Sequence, residues 1–164
     1  MKITLNYIPF LDSFFEQINN VGLDITGLPL DHIAYQASTS EDYELHLPEF
    51  SKLGELVSEE IIGGRRVAVV KLDEPLMYEG YSIPALELIE PKEGQKCESA
   101  FQHAEFVVGQ PFEKYIEQYP TIDWDTSSMG RDAFSHLKLN FENGLTLKFL
   151  QRPIFELFEE KKNQ

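Results

Sequence analysis

The sequence predicts an α+β domain built from two βαβββ-type repeats that form a cupped sheet, with a helix added at each end. Three observations carry this. The order strand, helix, strands occurs twice along the chain. The short apolar segments "LDHIAYQA", from Leu30, and "FQHAEFVV", from Phe101, each place one histidine near the start. The strands of both halves alternate, so that one face is apolar and the other carries His, Glu, Lys and Asn. The expected division is a single domain over 1–164. It has an N-terminal helix and turn at 1–29, a first repeat at 30–92, a second at 101–153, and a C-terminal helix and tail at 154–164.

The elements follow in order. Ile8, Leu11, Phe14, Phe15 and Ile18 recur at helical intervals, and Gly22 can end that helix. "DITGLPL" turns the chain into the strand "DHIAYQAS". A second helix opens with Ser40 as N-cap, carries Glu41 and Asp42 in its first turn, and runs to Gly54. Pro48 should kink or divide it. "ELVSEEIIGGRRVAVVKLDEP" reads as two strands joined at Gly63-Gly64, and "YSIPALELIEP" as a further strand ended by Pro91. In the second half "FQHAEFVVG" is a strand and "PFEKYIEQY" a short helix with Pro111 in its first turn. "PTIDWDTSSMGRDA" is irregular, with room for a short strand. "FSHLKLNFENGLTLKFLQRP" is two strands around Glu142-Asn143-Gly144, and "PIFELFEEKK" closes the chain as a helix.

Composition narrows the function. The chain has 164 residues, 42% of them hydrophobic, enough for a sizeable core. Its 28 acidic and 14 basic side chains give a net charge of -14. That balance argues against nucleic-acid backbones and against an anionic membrane surface. No apolar run approaches the roughly 20 residues of a membrane span, and Asn6, Pro9 and Asp12 interrupt any signal-peptide layout at the N-terminus. One cysteine, Cys97, fits a cytoplasmic location and reads as a spare loop thiol. The chain has no GxSxG elbow, no GxxxxGK[ST] loop and no GxGxxG turn.

Alternation sorts the polar residues. His32, Ala34 and Gln36 share one face of the first repeat's opening strand, and His103 and Glu105 share one face of its counterpart. Glu87 lies between Leu86 and Leu88, and Glu90 falls on the opposite face from Glu87. His136, Lys138 and Asn140 oppose Leu137, Leu139 and Phe141. From the residues alone, His32 and His103 read either as hydrogen-bonded structural groups or as ligands. Arg65-Arg66 follows the Gly-Gly turn and reads either as an exposed turn or, through Arg66, as an anion clamp. His46 reads as a surface or packing residue of the second helix.

The repeated plan, with "DHI" opening one repeat and "QHAEF" the other, resembles the vicinal oxygen chelate superfamily of glyoxalase I and extradiol dioxygenases. The closer likeness is to its YecM-type branch, through "GLDITGLPLDHI", "GELVSEEIIGGRRVAVVKLDEP", "LELIEPKEG", "QHAEFVV" and "LTLKF". The resemblance implies one divalent metal in the cup, held by His32, Glu87 and His103. It implies a fourth ligand near position 148, where this chain has Lys148, and an ammonium cannot coordinate a cation. Two imidazoles and a carboxylate with open positions suit Fe, Mn, Ni or Zn.

Glu105 then has three readings: a catalytic base, an ion-pair partner of Lys148, or a carboxylate that orients an imidazole. His136, Lys138, Lys148 and Arg66 are the expected substrate contacts. The implied activity is a metal-dependent isomerase, lyase or oxygenase acting on a small oxygen-bearing molecule. The alternative is a non-catalytic protein that binds an acidic small molecule in the same cup.

Overall fold

The computed structural model of the chain describes residues 5–131 and 134–162; the tail expected at 163–164 lies outside them. The element order is α1 (Ile8–Val21), β1 (Leu30–Gln36), α2 (Ser40–Ser51), β2 (Gly54–Ile62), β3 (Arg65–Tyr78), β4 (Tyr81–Ile89), β5 (Ala100–Val107), α3 (Phe112–Gln118), β6 (Leu137–Asn140), β7 (Thr146–Leu150) and α4 (Ile154–Lys162). The fold is mixed α+β, with seven strands and four helices among the described residues. The chain divides into two compact units, Met1–Ile8 with His32–Gln102, and Pro9–Asp31 with His103–Gln164.

The first unit has the strand order β2-β3-β4-β1. β1 runs parallel to β4, and the other pairs are antiparallel. A parallel pair needs a crossover, which α2, β2 and β3 supply. Gly63 and Gly64 both adopt positive φ, 64° and 84°, the backbone of a two-residue hairpin that matches strand twist. A Cβ on Gly54 would overlap the Lys71 carbonyl oxygen, so β2 can start here only with glycine. Gly54 therefore begins a strand rather than ending a helix. α2 is capped one residue earlier than expected: the Thr39 hydroxyl accepts from the Asp42 amide at 2.9 Å. Pro48 lies within α2 without dividing it. Tyr43 and Phe50 are its buried residues, and Tyr35 packs its ring edge-on against His46 and Phe50.

The second unit has the order β5-β7-β6, with β5 parallel to β7 and β6 antiparallel to it. α1 buries Leu11, Phe14 and Ile18, and Phe14 meets Phe106 of β5 and Phe141. Each such buried side chain contributes roughly 1.5–3 kcal/mol. The short strand allowed for in the irregular stretch is reduced to one bridge, Asp125 to Lys138. The stretch that follows is tied locally, the Asp125 carboxylate accepting from the Ser127 amide and hydroxyl. Pro111 caps α3 instead of entering its first turn. No helix among the described residues is long and apolar enough to cross a membrane.

Candidate metal centre

Each unit contains a buried imidazole facing a buried carboxylate. In the first, β1 carries His32 and β4 carries Glu87, and their Nε2 and Oε2 atoms lie 3.2 Å apart. In the second, His103 and Glu105 stand two residues apart on β5, with Nε2 and Oε1 separated by 3.3 Å. His32 and His103 are 0% and 1% exposed, too dry for either to be a solvated surface group. Two ligands on one first-row metal, at bonds of about 2.0–2.2 Å and angles between right and tetrahedral, bring their donor atoms to about 3 to 3.5 Å. Both pairs meet that separation. Within each unit, then, one buried imidazole and one buried carboxylate offer donors of the kind a metal ion takes.

Strand register shows how the repeats correspond. In the first, Ala34 of β1 pairs with Glu87 of β4; in the second, Glu105 of β5 pairs with Lys148 of β7. Both Ala34 and Glu105 lie two residues after the histidine. Glu87 and Lys148 are therefore equivalent, and so are Ala34 and Glu105. The second repeat keeps a carboxylate but moves it from its last strand to its first. Lys148 Nζ stands 3.5 Å from Glu105 Oε1, the pairing that alternation predicts.

The other expected contacts divide. His136 precedes β6, and its Nδ1 lies 2.8 Å from the Phe134 carbonyl oxygen. Burial pushes its imidazole below the usual histidine range, the Lys148 cation acts the same way, and Glu105 opposes them. His136 thus shares the neighbourhood of Lys148 and Glu105. Lys138 is paired with Asp125 at 3.4 Å.

Arg66 is held on the other face. Its Nε and Nη2 donate to the two oxygens of Glu90 at 3.0 and 2.9 Å, its Nη2 reaches Glu44, and its guanidinium sits 4.5 Å from the Tyr43 ring centre. The Glu90 carboxyl is pushed down to about 2, first by the Arg66 side chain and then by the Arg66 amide, with burial opposing. The folded value lies below the ordinary 4.5, so this stabilisation is complete above pH 4.5 and fades as pH falls towards 2. Glu90→Gln should cost about 2 kcal/mol at pH 7. In urea unfolding the gap from wild type should close near pH 2; an equal gap at both pH values would contradict the pairing.

Sequence reasoning missed the arginine that does face Glu87. In the β3–β4 pair Val69 stands opposite Glu87 and Val67 opposite Ile89, so Arg65, Val67 and Val69 share Glu87's face. Arg65 Nη1 donates to Gln36 Oε1 at 3.5 Å, and the charge of Glu87 acts on its guanidinium. Counting alternation through the Gly63-Gly64 turn, with Glu87 and Glu90 already on opposite faces, would have picked Arg65. The expected polar face also holds an apolar cluster, Ala34, Val67 and Ile89, with Ile62 packed against it.

Comparison with known proteins gives the family and the fold. A family model described as YecM protein matches residues 1–150. Protein YecM of Escherichia coli is 32% identical over 99 residues, covering 60% of this chain and 53% of that protein. An uncharacterized protein of Haemophilus influenzae is 23% identical over 86 residues, 52% of this chain and 45% of that one. The matches span about half the length of these curated relatives. Among solved structures, one described as Structural Genomics, Protein EC4020 has a TM-score of 0.78 at 26% identity, over 94% of this chain and 88% of that one. A variant of Streptomyces coelicolor methylmalonyl-CoA epimerase, in complex with 2-nitronate-propionyl-CoA, has a TM-score of 0.51 at 16% identity, over 75% of this chain and 96% of its own. That last likeness concerns the fold, which is the glyoxalase-like vicinal oxygen chelate fold.

Proposed function

The chain belongs to the YecM protein family, and from that premise we propose that it binds one divalent transition metal, Zn, Fe, Mn or Ni, and acts on a small oxygen-bearing molecule. The observation that carries the reading is the matched pair of imidazole–carboxylate contacts, 3.2 Å in one unit and 3.3 Å in the other. In the proposal one ion takes His32, Glu87 and His103 as its ligands, and Glu105 stands beside it. A metal bound there would supply Lewis acidity towards a carbonyl, carboxylate or hydroxyl pair.

The chain's own residues then divide the remaining work. Glu105, salt-bridged to Lys148, presents an acceptor and is the proposed proton carrier. Lys148 orients Glu105 and offers its remaining donors to an acidic substrate group. His136, kept below its ordinary range by burial, is the neutral neighbour through which a proton can pass. The half-buried single thiol of Cys97 fits a reducing compartment, and the proposal takes the protein to act in the cytoplasm.

Lys148 also favours a second reading, a non-catalytic protein for an acidic small molecule, because an ammonium attracts such a ligand and cannot coordinate a cation. Metal content decides between them. Purified protein stripped with a chelator and reloaded separately with zinc, manganese, nickel and ferrous iron should take up one of them stoichiometrically by elemental analysis. Background uptake of all four would leave the binding protein as the better account.

A further inference from the structure

Side chains from three neighbouring strands of the first unit form one graded surface, and strand register alone fixes it. Across β1, β4 and β3, Ala34, Glu87 and Val69 make one row, and Gln36, Ile89 and Val67 the next. One end of the surface is the His32–Glu87 pair. The middle is apolar and buried, through Ala34, Val67 and Ile89. The far end is Arg65 with Gln36.

The far end is built for an anion. Both donors of the Gln36 amide are taken, by the Ala37 carbonyl at 3.0 Å and the Ile89 carbonyl at 3.3 Å. That fixes its Oε1 towards Arg65, and the resulting contact is long, 3.5 Å. A half-buried guanidinium with five donors therefore has one weak, neutral acceptor in the hydrogen bonds of the described residues. Arg66, one residue on, has three charged contacts to Glu90 and Glu44. A planar guanidinium fork in an apolar wall matches a carboxylate bidentately.

We propose that Arg65, positioned by Gln36, binds the terminal carboxylate of a short dicarboxylate or oxo-acid whose other oxygen end lies towards His32 and Glu87. The ligand's seat at Glu87 rests on the function proposed above; the Arg65 anchor does not. Val69 and Arg65 stand four positions apart, about 13 Å of strand at ~3.3 Å per residue. Arg65 donates to Gln36, which stands in the Val67 row, so two residues of strand, ~7 Å, separate that contact from the Glu87 row, the span of a short dicarboxylate.

The test is calorimetric titration with glutarate, with acetate and inorganic phosphate as comparison probes, on both chelator-stripped and zinc-loaded protein. The proteins are wild type, Arg65→Met, Arg65→Lys and, as a control for charge alone, Lys52→Met. Glutarate should bind Arg65→Met at least about tenfold more weakly, a loss of about 1.4 kcal/mol. Arg65→Lys should fall between them, since it keeps the charge and loses the fork, and Lys52→Met should match wild type. Glutarate binding that is equal in wild type and a folded Arg65→Met, or absent from wild type, overturns the anchor. Phosphate binding more tightly than glutarate overturns the ligand class. If zinc is not taken up but carboxylate binding still depends on Arg65, the metal reading fails and the anchor stands. If zinc binds and Arg65→Met changes nothing, the reverse holds.

Discussion

Zinc bound per chain is expected to fall from stoichiometric to background when His32 and His103 are both replaced by alanine. Each imidazole is buried and faces a carboxylate at ligand-like separation, 3.2 and 3.3 Å. A set that loses both retains only carboxylate donors, which hold borderline-soft metals poorly. The single variants should each weaken zinc by at least about tenfold, or 1.4 kcal/mol. Stability gives a second readout. Zinc at 100 times its dissociation constant should stabilise wild type by about 2.7 kcal/mol and leave the double variant unchanged. The comparison must be made against each protein's own metal-free form, because truncating buried rings also removes packing. Near-stoichiometric zinc in a double variant whose circular dichroism matches wild type would take both histidines out of the ligand set.

Lys148→Glu should act in the opposite direction and tighten zinc binding on the order of 100-fold, about 2.7 kcal/mol. Lys148 occupies the register position that Glu87 holds in the first repeat. The substitution removes a repelling ammonium and supplies a carboxylate where the resemblance places a ligand. Lys148→Met, which only removes the charge, should tighten binding by less. The metal-free Lys148→Glu protein should be less stable than wild type, because Glu105 exchanges a cation at 3.5 Å for a like charge. Zinc should then rescue it, so stability and affinity move apart before loading and together after it. Unchanged zinc affinity in a folded variant would mean that position 148 does not face the ion, and the assignment of Glu87 would weaken with it.

Much of the fold was legible because its signals are local. Apolar periodicity gave α1, and the glycine pair gave the β2–β3 hairpin. Alternation puts Glu105 and Lys148 on the polar side of their strands, which leaves their pairing as one of three readings, and the 3.5 Å contact shows that the pair forms. What escaped the sequence depends on distant contacts. Gly54 looked like a helix stop because its reason, the Lys71 carbonyl, lies across a strand pair. Pro48 looked like a break, but α2 continues through it, and Tyr43 and Phe50 are buried on either side. Arg65 faces Glu87 only once β3 is in register with β4, a pairing between distant segments that the Gly-Gly turn alone does not specify. The buried cluster on the polar face could not be anticipated either, since Ala34, Val67 and Ile89 meet only once three strands are in register.

The strand on which each repeat keeps its carboxylate has a consequence for how a ligand is read. Had both copies kept the same donors at the same register, a ligand with two unlike ends would find two equivalent ways to lie. Here the copies have lost that equivalence. In one, the cation stands on the strand next to the carboxylate, Lys148 at 3.5 Å from Glu105. In the other, the charge that acts with Glu87 comes from the hairpin, through Arg65. The duplicated framework thereby acquires a polarity, and head and tail of a bound molecule become distinguishable.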